Sequence, residues 1–129
     1  MSERVASLYE RLGGIYSIAA VIDDFIDRVM GNPILNANPL VAEAHGRVSA
    51  AGFKYLVTEF VCGAIGGPQV YSGKSMVDAH VHLRMTNKEW DAFITNLEEA
   101  LYKFDVPDAE HAEVVRVVQS LKGEMSLID

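Results

Sequence analysis

Apolar residues recur at helical spacing along almost the whole of this 129-residue chain, a periodicity that leaves room for little besides a helical domain. After Ser17, a candidate N-cap, they fall at Ile18, Val21, Ile22, Phe25, Ile26 and Val29, the i, i+3, i+4, i+7 pattern of one buried helix face. Gly31-Asn32-Pro33 ends the run, because proline cannot donate a main-chain hydrogen bond and disfavours helical geometry in the residue before it. A second stripe, Phe53, Leu56, Val57, Phe60, Val61 and Ala64, stops at Gly66-Gly67-Pro68. A third starts at Thr86 with Glu89 three residues later, the pattern of a capping box. It continues through Trp90, Phe93, Ile94, Leu97 and Leu101 and ends near Asp105-Val106-Pro107. The fourth opens at Pro107-Asp108, where acidic side chains suit the positive end of a helix dipole, and carries Val114, Val117, Val118, Leu121 and Met125. A short helix over Leu8 to Leu12 comes first, set off by Gly13-Gly14. The expected class is all-α, in a single domain over residues 1–129.

Two irregular regions, 31–48 and 66–86, interrupt the helices. Both exceed the roughly two to eight residues that usually join helices in a bundle, so something specific is expected to be held there. No internal repeat, low-complexity tract or interdomain linker is present.

Half of the residues are hydrophobic and 22% are charged, enough for a packed core. Eleven basic against eighteen acidic residues give a formal charge of −7, which argues against nucleic acid or an anionic membrane as partner. No apolar run reaches the roughly 18 residues of a membrane span, and Met1-Ser2-Glu3-Arg4 lacks a signal-peptide profile. With one cysteine, Cys62, and hence no internal disulfide, the cytoplasm is the expected compartment.

Catalytic machinery is sparse: there is no phosphate-binding glycine loop, CxxC or HExxH. Cys62 sits among apolar neighbours and reads as a small buried hydrophobe. Asp23-Asp24 and Glu98-Glu99 read as solvated faces. Of four histidines, His111 lies among acids and is expected at the surface. His80 and His82 fall in the second irregular region. On a strand they would share a face and could chelate one metal; on a helix they lie about 200° apart and could not.

The order of elements adds a resemblance. Leu8-Tyr9-Glu10-Arg11-Leu12-Gly13-Gly14, the run Asp24 to Val29, the stretch Gly66 to Met76 with its Tyr71-Ser72-Gly73, and Met76-Val77-Asp78-Ala79-His80 follow one another as in the group I truncated haemoglobins. Trp90 to Leu101 is similar to that family's long helix beneath the cofactor. The likeness runs from Leu8 to Leu121. It implies a shortened two-over-two helical sandwich around haem b, with His80 as the proximal ligand of the iron. Ile26, Phe53, Val57, Phe60, Met76, Leu83, Trp90 and Ile94 would then line or support the porphyrin. His82, with Arg84 or Lys74, would approach a propionate.

On the distal side the chain departs from that pattern. Many members place a tyrosine where Ile26 stands, and polar residues where Phe53, Leu56 and Val57 stand. The aromatic pair after the second helix is missing, with Asn38-Pro39 near that point. Bound dioxygen carries partial negative charge, and a hydrogen bond to it contributes about 1–3 kcal/mol. Without that donor, dioxygen leaves faster and ferrous iron oxidises more readily, while carbon monoxide and nitric oxide are comparatively favoured. Tyr55 and His45 are the two candidates to restore a polar contact, His45 also as a sixth iron ligand.

Three functions compete on these grounds. One is reversible binding of dioxygen, carbon monoxide or nitric oxide. A second is a haem redox enzyme, oxidising nitric oxide to nitrate with a reductase partner or reacting with peroxide. A third is a haem-free helical interaction module.

Overall fold

The computed structural model describes residues 5–129, so the reading of Met1–Arg4 lies outside the described residues. Helix α1 (Leu8–Arg11) is capped by Ser7, whose hydroxyl accepts from Glu10 N. Gly13 and Gly14 follow with φ of 98° and 82°, a left-handed pair that residues with a side chain rarely adopt, and they turn the chain into α2 (Ile15–Met30). The helix therefore starts one turn earlier than Ser17, the residue expected to cap it: Ile18 N already bonds Gly14 O at 3.1 Å. Its buried face is the expected one, Ile18, Ile22, Phe25, Ile26 and Val29.

The region 31–48, expected to be irregular, folds into two short helices, α3 (Pro33–Asn36) and α4 (Pro39–Arg47). Each begins with an Asn-Pro pair in which the asparagine oxygen accepts from main-chain N–H groups: Asn32 Oδ1 from Ile34 at 2.9 Å, and Asn38 Oδ1 from Leu40 at 3.0 Å. Proline at the first helical position loses nothing, since its missing N–H would have had no helical partner. Helix α5 (Ala50–Ala64) is capped by Ser49. The second irregular region contains α6 (Met76–His80), capped by Ser75, and a 3₁₀ turn over Val81–Leu83. Helix α7 (Asn87–Lys103) is followed by α8 (Asp108–Gln119) and a second 3₁₀ turn, Lys122–Met125.

Helix α2 is central, packing against α5 on one side and α7 on the other, while α7 also packs against α8. This is the two-over-two sandwich. Its interior holds Trp90, Phe25, Ile26, Leu97 and Cys62, each almost wholly enclosed. Burial of each large side chain among them stabilises the fold by roughly 1.5–3 kcal/mol. Phe25 meets Phe93 edge-on at 5.1 Å, and Trp90 stacks on Phe93 at 5.3 Å, so α2 and α7 are joined by an aromatic run.

The charged residues correct two expectations. His111 is buried, with its ring 4.7 Å from that of Tyr102 and Nε2 3.4 Å from Glu98. The acidic face of α2 is paired rather than merely solvated. Lys54 of α5 binds Asp23 and Asp27, each at 2.8 Å, while Asp24 receives Arg28 at 2.6 Å and Lys103 at 2.8 Å. Arg11 ties α1 to Glu113 of α8.

Candidate functional site

The chain between α5 and α7 is built to present α6. Gly67 N bonds Cys62 O at 2.8 Å, closing the end of α5, and a Cβ at Gly67 would come within 2.6 Å of the Tyr9 ring and 2.8 Å of Cys62 O. Only glycine fits that approach. The extended stretch that follows is laid back along α5: Ser72 donates to Glu59 through both its main-chain N–H and its hydroxyl, at 3.2 and 2.6 Å. Tyr71 stands edge-on to Phe60, with centroids 5.2 Å apart. Ser75 then caps α6 by accepting from Asp78 N at 3.1 Å.

His80 closes this helix, and its Nδ1 lies 2.7 Å from Met76 O. A carbonyl can only accept, so Nδ1 carries the proton and Nε2 keeps its lone pair. Among the described residues no protein atom bonds Nε2. Burial pushes the His80 pKa down; the bond to Met76 opposes this, and His82 adds to the lowering. The result is a neutral, half-buried imidazole with one fixed tautomer and one open nitrogen, the state that ligates a metal. His80 ends α6 and His82 lies exposed in the 3₁₀ turn that follows, so no strand sets the two rings on one face as a shared chelate requires.

The other expected residues divide into two sets. Phe53, Val57 and Met76 are partly buried against the core, and Phe60 is half-buried beside Tyr71, so all four keep some free surface. Ile26 is 0% and Trp90 1% exposed, with Ile94 and Leu83 nearly as enclosed. Trp90 is held further by its indole N–H, which donates to Gln119 Oε1 at 2.7 Å. His82, Arg84 and Lys74 are exposed.

The two candidate polar groups separate as well. Tyr55 is 61% exposed, and interaction with Glu59 pushes its pKa up, so its hydroxyl belongs to the outer edge of α5. His45 on α4 is half-buried, with Nδ1 2.8 Å from Asn36 Oδ1 and its ring 6.3 Å from that of Phe53. Burial lowers its pKa.

Local periodicity gave no sign of Asn38, which reaches Leu83 O at 2.9 Å and the Glu89 carboxyl at 2.9 and 3.2 Å. The Asn38-Pro39 pair that stands where the aromatic pair is missing is the start signal of α4. A separate apolar cleft of about 350 Å³ lies between α2, α7 and α8, lined by Ile22, Phe25, Leu97, Leu101, Val114 and Val118 among others; none of the expected site residues line it.

Comparison with known proteins gives one direction. Residues 7–127 match the family model described as bacterial-like globin. The group 1 truncated hemoglobin of Tetrahymena pyriformis is 29% identical over 119 residues, covering 92% of this chain and 93% of the relative. Its Fe(III) crystal structure superposes with a TM-score of 0.80 at 28% identity, over 96% of this chain and 100% of that one. The 2/2 hemoglobin of a Synechococcus species, crystallised in the cyanomet state with covalently attached heme, superposes with a TM-score of 0.81 at 28% identity, over 94% and 98% of the two chains.

Proposed function

The chain belongs to the bacterial-like globin family, as a group 1 truncated haemoglobin, and on that premise we propose that His80 is the proximal ligand in a protein that binds haem b and, at its iron, diatomic gases. The observation that carries this reading is the His80 Nδ1–Met76 O bond at 2.7 Å, which leaves Nε2 available. Haem, when bound, supplies reversible coordination of a small ligand at its iron.

The rest falls to the protein. Met76 fixes the imidazole tautomer and ring direction. Phe53, Val57, Phe60 and Met76 offer apolar surface to the porphyrin, Leu83, Trp90 and Ile94 hold those side chains in place, and Ile26 stands enclosed at the base of the distal face. The distal face contributes no hydrogen-bond donor from Ile26, Phe53, Leu56 or Val57. Such a face favours carbon monoxide and nitric oxide over dioxygen, which loses about 1–3 kcal/mol of hydrogen bonding there. It also leaves oxidation of the ferrous state unopposed, so an electron-donating reductase is part of the reading.

His45 is the distal-side polar group in this reading. With Nδ1 donating to Asn36, its Nε2 is an acceptor or an iron ligand, not a donor to dioxygen. Tyr55, turned outward, takes no part.

The test is an absorption spectrum of the purified protein, ferric and dithionite-reduced, beside His80→Ala. A Soret band that collapses or changes character in the variant is expected; a band unaffected by the substitution overturns His80 as ligand. In the reduced wild type, two sharp visible bands that merge into one in His45→Ala are the signature of His45 as sixth ligand. A single broad band in both proteins removes it from that role.

A further inference from the structure

We propose that Asn38 is a positioning residue for His80, clamping the turn that follows the histidine to α4 and to Glu89. The proposal rests on His80 being the haem ligand. After His80 the chain makes one 3₁₀ turn, Val81–Leu83, and then passes through Arg84 with φ 51° and ψ 48°. This left-handed conformation is uncommon for a residue with a side chain and persists where its surroundings enforce it. The carbonyls leaving such a turn lack helical partners and must be satisfied from elsewhere. Asn38 Nδ2 lies 2.9 Å from Leu83 O and 3.5 Å from Arg84 O, while Ile128 N donates to Met85 O at 2.9 Å. The same amide nitrogen lies 2.9 and 3.2 Å from the two Glu89 carboxyl oxygens, and Asn38 Oδ1 caps α4 through Leu40 N at 3.0 Å.

One amide thus joins three elements: the start of α4, the turn that follows His80, and the first turn of α7. Glu89 adds an independent sign that the cluster is specified. It is 7% exposed, and no cation pairs with it among the described residues. Burying a carboxyl group is costly unless hydrogen bonds satisfy its oxygens, and Asn38 Nδ2 is the side-chain donor within reach of both. Thr86 and Glu89 form half of the capping box expected from sequence: Glu89 N donates to Thr86 Oγ, but the Glu89 side chain turns to Asn38 instead of back to Thr86 N.

Asn38 does not touch the imidazole, whose Nδ1 is occupied by Met76 O. Its action is therefore geometric: it fixes the main chain from which the ring projects, and with it the direction of Nε2.

The experiment compares wild type with Asn38→Ala, Asn38→Asp and Glu89→Gln as haem-loaded proteins. Asn38→Asp keeps the oxygen that caps α4 and removes the donor to Leu83 O; Glu89→Gln keeps an acceptor for Asn38. The readouts are the iron–histidine stretching band of the ferrous protein, the rate of haem loss to an acceptor protein, and hydrogen exchange of the 81–85 amides in the haem-free form. Both Asn38 variants are expected to shift the band, speed exchange at 81–85, and accelerate haem loss about tenfold, the low end of what outer partners of a metal centre contribute. Glu89→Gln is expected to keep the wild-type band. Should Asn38→Ala fail to fold, Asn38→Asp decides. A lowered melting temperature with an unmoved band overturns the proposal, because a merely structural role predicts that result. If the wild-type band does not depend on His80, the haem reading fails instead; the exchange measurement then still decides the clamp, overturning it if 81–85 exchange at the wild-type rate in Asn38→Asp.

Discussion

The ring nitrogen Nδ1 of His80 lies 2.7 Å from the carbonyl oxygen of Met76, so a five-residue helix both carries the imidazole and selects its tautomer. The two residues are four apart, one helical turn, so the ring stands over the carbonyl at the start of its own helix. The geometry needs no partner from another element to set the tautomer. Replacement by His80→Gly should remove the axial ligand while leaving Ser75 and Asp78 to start the helix. We expect the Soret band to be lost in that variant and restored by added imidazole. Restoration by imidazole but not by an equal concentration of pyrrole, which lacks a basic nitrogen, identifies the vacancy as that of Nε2.

Trp90 separates support from contact. At 1% exposure, stacked on Phe93 and bonded to Gln119, it has no surface left for a porphyrin. Trp90→Phe should cost about 1–3 kcal/mol of stability by urea denaturation of the haem-free protein, from the lost hydrogen bond and the void left behind. Haem dissociation should change little beyond that. A large loss of haem affinity at unchanged stability would place the indole against the cofactor.

What could be read in advance follows from the range over which each signal acts. The faces of α2, α7 and α8 were legible because burial repeats with the helix turn, and Thr86 caps α7 as expected; the stripe expected on α5 is only partly buried, with Leu56 exposed and Cys62 the enclosed residue of that helix. The region 31–48 was legible only in part: its two Asn-Pro pairs are local start signals, but each opens a short helix with little periodicity. His80 stood out through the family resemblance carried by the loop from Gly66 and the segment Met76 to His80, not through any local periodicity. The burial of His111 and the turn of Glu89 toward Asn38, 51 residues away, depend on contacts between distant segments. No local pattern encodes these, and a single sequence carries no pairwise signal for them.

Asp24 sets an acid limit. Burial alone would push its carboxyl up, but hydrogen bonds from Arg28 and Lys103 outweigh that and hold it below the usual range. A depressed folded-state value contributes stability that is present above the unfolded value, about 3.9, and is lost as pH falls through the folded one. Asp24→Asn should therefore be about 1 kcal/mol less stable near neutrality, and the two proteins should converge as pH falls below about 3.9. Thermal melts of the haem-free proteins across that range are the measurement. A constant difference down to the acid end would mean the loss is packing, not charge.

Lys54 makes a different prediction because its partners face solvent. It bridges Asp23 and Asp27 at 2.8 Å each, joining α5 to α2. Lys54→Met leaves two carboxylates one turn apart with no cation between them. The melting temperature should fall at low ionic strength, and the deficit should shrink in about 1 M salt, where the screening length is near 3 Å. A deficit independent of salt would assign the effect to the lysine stem packed between the helices.

Ile26 tests the apolar distal face directly. Its side chain is wholly enclosed, so Ile26→Tyr must displace neighbours, at a cost of about 1–3 kcal/mol. If Ile26 occupies the position from which a hydroxyl can reach bound dioxygen, the variant gains a hydrogen bond to a partly charged acceptor. A bond of that type contributes about 1.5–3 kcal/mol, which slows dioxygen release roughly ten- to hundredfold. Carbon monoxide, carrying less charge, should leave at nearly the wild-type rate. Stopped-flow measurement of both dissociation rates distinguishes this from disordered repacking, which would change the two gases together. Equal changes would show that the hydroxyl does not reach the ligand, and that the wild-type preference among gases does not originate at this residue.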